Sequence, residues 1–194
     1  MNVKTTLKAL CLLTATASIP MVTNAQFEKG DNVLGVGIGV LGGYNVGLSG
    51  SGVTQSPAFS LHFDHAMGEL GPGTWGLGGY VGFKTTSYKY DYIYYNYDRR
   101  YTFLVFGARG TWHYNSWHTD KLDTYAGVLL AFKSVSVKDN TDYGAYPNNY
   151  SYSGSGFGPG AFIGARYYFS DNIGAYAELG YGITVIQLGL TVKF

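Results

Sequence analysis

Hydrophobic and polar residues alternate with a period of two along most of the chain after residue 26. In the first such segment Leu34, Val36 and Ile38 alternate with glycines, so one face of the predicted strand is aliphatic and the other nearly bare. The alternating segments are 34–40, 59–64, 75–84, 104–113, 122–133, 160–169, 173–180 and 186–194. No helical period of useful length and no apolar run of about eighteen residues occurs among them.

Eight segments of about ten residues match the smallest even-numbered membrane barrel, because a tilted strand of that length crosses a bilayer. The predicted fold class is therefore all-β: an eight-stranded antiparallel up-and-down transmembrane β-barrel preceded by a cleaved signal peptide. A secreted sandwich is the alternative, since it shows the same alternation with its apolar face turned inward.

The charged residues of these segments favour the barrel. They all fall on the glycine-rich face, as expected for a narrow, filled lumen, whereas a solvated face would be dense in charge. The predicted lumen charge network consists of Asp64, Lys84, Arg109, Asp123, Lys133, Arg166 and Glu178, with Lys193 near the end of the last strand. Because unpaired buried charges are costly, we expect a salt bridge between Arg166 and Glu178, shared with Arg109.

Composition restricts the class of protein further. Of the 194 residues, 46% are hydrophobic and 13% are charged, the net charge is +1, and 29 are glycine. A chain so rich in apolar residues and so near neutrality is not disordered, and its scattered Lys and Arg do not indicate a nucleic-acid partner.

Residues 1–25 have the pattern of a secretory signal peptide, which leaves 26–194 as the outer-membrane barrel domain. Lys4 and Lys8 precede a short apolar stretch, and Thr23-Asn24-Ala25 supplies small residues for cleavage before Gln26. The stretch is too short for a membrane anchor. Cys11, the one cysteine, lies inside it, so the mature chain has no disulfide or thiolate metal site.

The lengths of the connections between strands predict which end of the barrel faces the periplasm and which faces the outside. Short connections at 67–73, 115–121 and 170–172 are predicted to be periplasmic. Longer ones at 42–56, 87–99 and 134–157, with a short one at 181–183, are predicted to be extracellular. The predicted location is the bacterial outer membrane, with its lipid as a partner.

The last segment, from Gly180 to Phe194, ends an alternating strand with an aromatic residue. With the export signal and the strand pattern, it resembles the small outer-membrane barrels of the OmpA-type superfamily. The resemblance implies that Phe194 is the assembly signal read by a second partner, the barrel-assembly machinery. Because the chain stops there, the periplasmic peptidoglycan-binding domain of full OmpA proteins is not expected.

Three residue patterns could indicate a cofactor, catalytic or metal site, but the residues around each pattern argue against that site. The glycines of 37–42 match a dinucleotide fingerprint, but no helix follows. Ser60, His62 and Asp64 share one strand face at spacings too wide for a catalytic triad. His113, His118 and Asp120 suggest a metal, but we expect them on a solvated turn. No catalytic, cofactor or metal site is predicted.

Tyrosine is concentrated in two predicted extracellular loops. The candidate binding residues are Tyr90, Tyr92, Tyr94, Tyr95, Tyr97, Tyr146, Tyr150 and Tyr152. Tyrosine among Ser, Gly and Asn is typical of binding loops, but the same residues also suit strands that extend above the membrane. The predicted function is non-enzymatic: envelope structure, or surface interaction with an extracellular ligand. Passive transport of small or apolar molecules and lipid modification are the alternatives.

Overall fold

The computed structural model describes residues 26–41, 52–92, 95–116, 121–139 and 150–194, most of which lie in β-strands. The strands are β1 (Asn32–Leu41), β2 (Val53–Gln55), β3 (Ala58–Leu70), β4 (Gly73–Tyr92), β5 (Tyr95–Tyr114), β6 (Leu122–Asp139), β7 (Tyr150–Tyr168), β8 (Ile173–Gly180) and β9 (Ile186–Lys193). Within these ranges there is no helix long and apolar enough to cross a membrane.

The strands form an antiparallel ring. From β3 to β9 each strand pairs with the next along the chain, and β1 pairs with both β3 and β9. The short strand β2 pairs only with β4 and continues the line of β3 beyond a break at Ser56 and Pro57. At the closure, Asn32 and Phe194 exchange two backbone hydrogen bonds of 2.9 Å. The ring therefore has eight strand positions, and the predicted eight-stranded antiparallel up-and-down barrel is confirmed; the signal peptide stays a prediction.

Strand lengths give the ring two different ends. Strands β4 to β7 contain 18 to 20 residues, whereas β8 and β9 contain 8 each. The long strands extend in hairpins at one end, the long-hairpin end, and the connections after β3, β5 and β7 lie at the short-turn end. The prediction of loops at 87–99 and 134–157 was thus largely wrong, because their alternating Tyr, Thr, Ser and Val residues continue the strands.

The apolar face of each strand points outward. Val128, Leu130 and Ile163 have exposed fractions of 60 to 65%, whereas Asp64, Arg109 and Arg166 have at most 1%. Apolar side chains therefore surround the ring, and charges fill it, which is the arrangement of a membrane barrel rather than a soluble sandwich.

Aromatic side chains border this outer apolar surface on both sides. Toward the long-hairpin end, the rings of Phe106 and Phe157 lie 5.3 and 5.2 Å from that of Phe132. Toward the short-turn end, Trp75 and Trp112 are cross-strand partners. The nine residues from Trp75 to Phe83 on β4 span about 26 Å along the strand, which at the usual tilt of such strands is a height of about 20 Å, similar to that of the apolar band of membrane barrels.

Candidate functional site

Five charged side chains from five strands meet inside the ring. This ion cluster consists of Asp64 on β3, Arg109 on β5, Asp123 on β6, Arg166 on β7 and Glu178 on β8. Each lies on the inward face of its strand, because alternate residues of a strand share one face. All five are almost fully buried, so the attraction between them is only weakly screened by water.

Arg109 joins two carboxylates. Its Nε lies 2.9 Å from Oδ1 of Asp64, and its Nη2 lies 2.7 Å from Oε1 of Glu178. The Tyr125 hydroxyl donates a 2.8 Å hydrogen bond to the same Glu178 oxygen. The guanidinium also lies over the Phe162 ring, 4.3 Å from its centroid. Arg109 is thereby held by contacts with three other strands, β3, β7 and β8.

Arg166 joins the other side of the cluster. It forms an ion pair with Asp64 and a second with Asp123, and its guanidinium lies 4.4 Å from the centroid of the Tyr125 ring. The predicted direct pair between Arg166 and Glu178 is wrong. In the register of β7 and β8, Arg166 faces Tyr176 while Glu178 faces Gly164, and the Glu178 carboxylate pairs with Arg109 instead.

The cluster has three carboxylates and two guanidinium groups, and His113 adds a further donor. Its Nδ1 lies 2.7 Å from Oδ1 of Asp123, and the ring is fully buried. A carboxylate can only accept, so Nδ1 carries the proton. The predicted solvated position of His113 is therefore wrong, since β5 continues through it; His118 and Asp120 lie outside the described residues. No three metal-binding side chains come together in the described part of the chain.

Phe27 closes the lumen at the short-turn end. Its side chain is fully buried, and its ring centroid lies 4.0 Å from that of His113. The segment that carries it is tied down by hydrogen bonds between Gln26 and Asn115, of 2.9 Å, and between Lys193 and Gln26, of 3.2 Å. Sequence reasoning missed Phe27, because a single aromatic residue ahead of the first strand carries no periodic signal.

An apolar plug fills the lumen on the other side of the ion cluster. Its buried members are Ala58, Tyr80, Phe103, Val105, Leu129, Ala131 and Ile183. A polar chain lies beside it: Ser60 Oγ donates to Gln187 at 2.7 Å, and the Gln187 amide donates to the Tyr80 hydroxyl at 2.9 Å. The side chains therefore leave no wide passage at the level of the cluster and the plug.

Two lysines of the predicted lumen network lie away from the ion cluster. Lys133 on β6 has its ammonium 4.6 Å from the centroid of the Tyr181 ring. Lys84 on β4 is 3% exposed, and within the described residues its side chain has no ion pair or hydrogen bond. Five of the seven predicted lumen charges are therefore joined directly in the ion cluster.

The residues considered for catalysis are engaged in packing. Ser60 donates to Gln187, and Asp64 pairs with the two arginines. His62 is 1% exposed and packs edge-on against Tyr176, and neither of its ring nitrogens has a hydrogen-bond partner in the described structure. The glycines of the dinucleotide-like pattern lie in β1 as far as Leu41, and Gly42 falls outside the described residues.

Most of the candidate tyrosines occupy strands. Tyr90 and Tyr92 pair with Tyr97 and Tyr95 in the β4–β5 register, and Tyr150 begins β7. Tyr94 and Tyr146 lie outside the described residues. Tyr152 is the member of the set with a described side chain, and 68% of its surface is exposed.

Comparisons with known proteins agree with this geometry. No protein-family model and no curated protein sequence matches the chain. Among solved structures, Ail, the attachment invasion locus protein of Yersinia pestis, in complex with the heparin analogue sucrose octasulfate, is 12% identical with a TM-score of 0.50. That match covers 86% of this chain and 99% of Ail.

The N-terminal β-barrel domain of Pseudomonas aeruginosa OprF is 11% identical with a TM-score of 0.49, over 87% of this chain and 100% of that domain. Both of these structural neighbours are bacterial outer-membrane proteins. With apolar side chains outside, charges inside and a ring of eight strand positions, this protein has the fold of the small outer-membrane β-barrels of the OmpA-like type.

Proposed function

We propose that this protein is a non-enzymatic, integral barrel of the bacterial outer membrane that acts through its long-hairpin end rather than through its lumen. The filled interior carries this proposal. The ion cluster, the apolar plug and Phe27 occupy successive levels of the lumen, and Asp64, Arg109 and Arg166 are each at most 1% exposed. A lumen so filled serves as a support, and its exposed ends are left for function.

The raised sheet, which we define as 87–92, 95–101, 133–139 and 150–156, is the candidate for that function. From Phe83 to Tyr92, β4 continues for about 30 Å beyond the aromatic border. Cross-strand ion pairs brace this sheet: Arg99 and Asp139 approach to 2.5 Å, and Lys89 and Asp98 to 3.2 Å. A braced, tyrosine-rich sheet provides rigid contact surface at low entropic cost.

Surface interaction in general is the role that the Ail likeness supports. Ail is an attachment invasion locus protein, and its structure was determined with a heparin analogue. The raised sheet pairs two of its cations, Lys89 and Arg99, with acidic side chains, which makes it a weaker site for a polyanion such as that analogue. The extracellular ligand proposed here is one recognised through exposed tyrosines such as Tyr152.

Export and assembly form part of the same proposal. Residues 1–25 direct export and are removed, the short-turn end faces the periplasm, and Phe194 is the residue that the barrel-assembly machinery reads. The exposed Phe194 side chain, at 64%, and the pairing of its backbone with Asn32 support this role, since the residue is accessible and lies where the ring closes.

Planar-bilayer conductance of the refolded protein tests the filled lumen. After heat-modifiable gel migration shows that the barrel has folded, we expect no discrete channels. Reproducible ion-conducting steps would contradict a filled lumen and favour passive transport.

Attachment of cells that express the protein tests the raised sheet. A variant with Tyr90, Tyr92, Tyr95, Tyr97 and Tyr152 changed to Ser is expected to lose attachment to protein- and glycan-coated surfaces. Tyr114→Ser, at the other end of the barrel, is the matched control. Equal attachment of the wild type and both variants would count against a role in surface interaction.

A further inference from the structure

The two faces of the long strands differ in chemistry beyond the aromatic border. The pairings of β4 with β5, β5 with β6 and β6 with β7 continue into the raised sheet without a register shift, so each residue keeps the face that strand alternation gives it. On the inward face, Tyr101 and Val135 pack against the apolar plug, and Arg99 pairs with Asp139. The outward face continues the membrane-facing surface of the barrel and carries hydroxyl and basic side chains instead.

This outward face above the border is called the lateral face here. It consists of Thr85, Arg100, Thr102, Ser136, Lys138 and Ser153. Its four hydroxyl residues are direct cross-strand partners, one from each of the strands β4 to β7, and so they form a single row. Neighbours in such a row lie about 5 Å apart, so the row presents hydroxyl groups side by side across four strands.

The lateral face also carries two neighbouring positive charges. Arg100 and Lys138 are cross-strand partners, and both are exposed. Like charges placed directly opposite each other repel, so an anion that lies between them is stabilised. Asp98 is on the same face of β5 but pairs with Lys89, at 3.2 Å. In the part of the chain that the structure describes, Arg100 and Lys138 have no ion pair. The lateral face therefore favours an anionic partner.

The charged pair lies above the head-group layer of an ordinary phospholipid. Arg100 is six residues beyond Phe106 of the aromatic border on β5, and Lys138 is six residues beyond Phe132 on β6. Six residues span about 20 Å along a strand, or about 15 Å in height at the usual tilt of barrel strands. The head-group layer on each side of a bilayer is only about 5–8 Å thick. A membrane anion at this height therefore belongs to a taller, saccharide head group.

We propose that the lateral face binds the anionic saccharide head group of a glycolipid in the outer leaflet around the barrel. A phosphate or carboxylate of the saccharide lies between the Arg100 guanidinium and the Lys138 ammonium, and sugar hydroxyls exchange hydrogen bonds with the row of Thr and Ser side chains. The occupant is a lipid rather than a dissolved glycan, because the lateral face continues the lipid-facing surface and points sideways over the leaflet.

This contact goes beyond the surface interaction proposed above. Tyr152, which that interaction uses, lies on the other face of β7 from Ser153, because successive residues of a strand point to opposite faces. The glycolipid site rests on the proposed function in one respect, the outward orientation of the long-hairpin end.

Native mass spectrometry of the refolded protein in nonionic detergent micelles tests this site. The dissociation constant of each probe is read from the bound fraction. The probes are lipopolysaccharide with phosphorylated core sugars, lipid A with the same acyl chains, the phosphorylated core oligosaccharide without acyl chains, and phosphatidylglycerol. We expect lipopolysaccharide to bind at least about tenfold more tightly than each of the others, because it alone combines acyl chains with an anion at the height of Arg100 and Lys138.

Substitutions locate the binding. The double variant Arg100→Gln with Lys138→Gln should lose the preference for lipopolysaccharide and keep its affinity for lipid A, whereas Arg100→Lys should behave like the wild type. Lys29→Gln with Lys121→Gln, at two exposed lysines of the short-turn end, removes the same charge and should leave the preference intact. Heat-modifiable migration shows that each variant has folded.

Three results would each overturn the proposal: equal binding of lipopolysaccharide and lipid A, an unchanged preference in the double variant, or the same loss in the short-turn control. Core oligosaccharide that binds as tightly as lipopolysaccharide would also overturn it, since the partner would then be a dissolved glycan.

Labelling of intact cells tests the orientation separately. A membrane-impermeant maleimide should label Ser155→Cys on the raised sheet and should not label Asp171→Cys at the short-turn end. Labelling of residue 155 without a preference for lipopolysaccharide would overturn the glycolipid site alone. Absence of that labelling would overturn the orientation, and with it both this proposal and the proposed function.

Discussion

Arg109 and Glu178 approach to 2.7 Å, between Nη2 and Oε1, although they lie 69 residues apart in the sequence and on strands that do not pair. Their side chains are 1% and 5% exposed. The contact therefore crosses the lumen, and it links opposite walls of the ring where no backbone hydrogen bond does so.

Removal of the Arg109 charge is expected to destabilise the barrel strongly. Arg109→Met leaves Asp64 and Glu178 with less compensation, and breaking a buried pair in this way costs about 3–5 kcal/mol. Urea unfolding in lipid vesicles, followed by gel migration without heating, measures the change. Lys89→Met at the exposed Lys89–Asp98 pair is the control, with an expected effect of at most about 1 kcal/mol. Similar losses for both variants would mean that the ion cluster is not what joins the walls.

The outward face is expected to reject charge. Val128 is 65% exposed on β6, near the middle of the apolar surface, so Val128→Arg should lower the free energy of unfolding in a bilayer by about 2–4 kcal/mol. Ser153→Arg on the raised sheet should change it by less than about 0.5 kcal/mol. If both substitutions were equally tolerated in vesicles, the face that carries Val128 would be in water.

Two glycines should respond in opposite ways to the same substitution. A Cβ on Gly107 would lie 2.1 Å from the Leu130 carbonyl oxygen, so Gly107→Ala forces the backbone apart and should cost about 1–3 kcal/mol. A Cβ on Gly156 would meet nothing within 4 Å, and Gly156→Ala should be neutral or slightly stabilising. The urea midpoints of the two variants test this, and a stable Gly107→Ala barrel would contradict the close β5–β6 approach.

Loss of the Phe27 ring should weaken the short-turn end. Phe27 is fully buried against His113, so Phe27→Ala is expected to cost about 3–5 kcal/mol and to expose residues 26–31 to proteases. Phe157→Ala is the matched control, since that ring is 79% exposed. Proteolysis of the folded protein in vesicles, together with its unfolding curve, distinguishes the Phe27→Ala variant from the Phe157→Ala control. An uncleaved Phe27→Ala protein would show that the segment is held by its hydrogen bonds alone.

The sequence predicts the ring and its faces because both depend on local alternation. Because alternate residues of a strand share one face, the sequence predicts that Arg109 points inward and Val128 outward. The structure agrees at both positions. Pairing within the lumen depends instead on register and side-chain reach across the barrel. The expected Arg166–Glu178 contact was wrong for that reason, although both residues were correctly placed on the inner face.

Strand ends were harder to predict than strand faces. The tyrosines at 88, 90 and 92 alternate like a strand but are polar enough for a loop, and the pairing of β4 with β5 decides between the two. The break at Pro57 has a local cause, since proline cannot donate a hydrogen bond, but the cavity beside it is lined by residues from β1, β2, β3 and β4 and by Thr184. No pattern within any one of those segments indicates it.

The reciprocal hydrogen bonds between Asn32 and Phe194 have a kinetic consequence. Hairpins such as β4–β5 and β6–β7 close short loops, whereas the β1–β9 pairing joins the most distant strands and carries the greatest loop entropy. The hairpins are therefore expected to form early and the last junction late. Until it forms, β1 and β9 are unpaired edges that another chain could join, so aggregation competes with folding up to the final step.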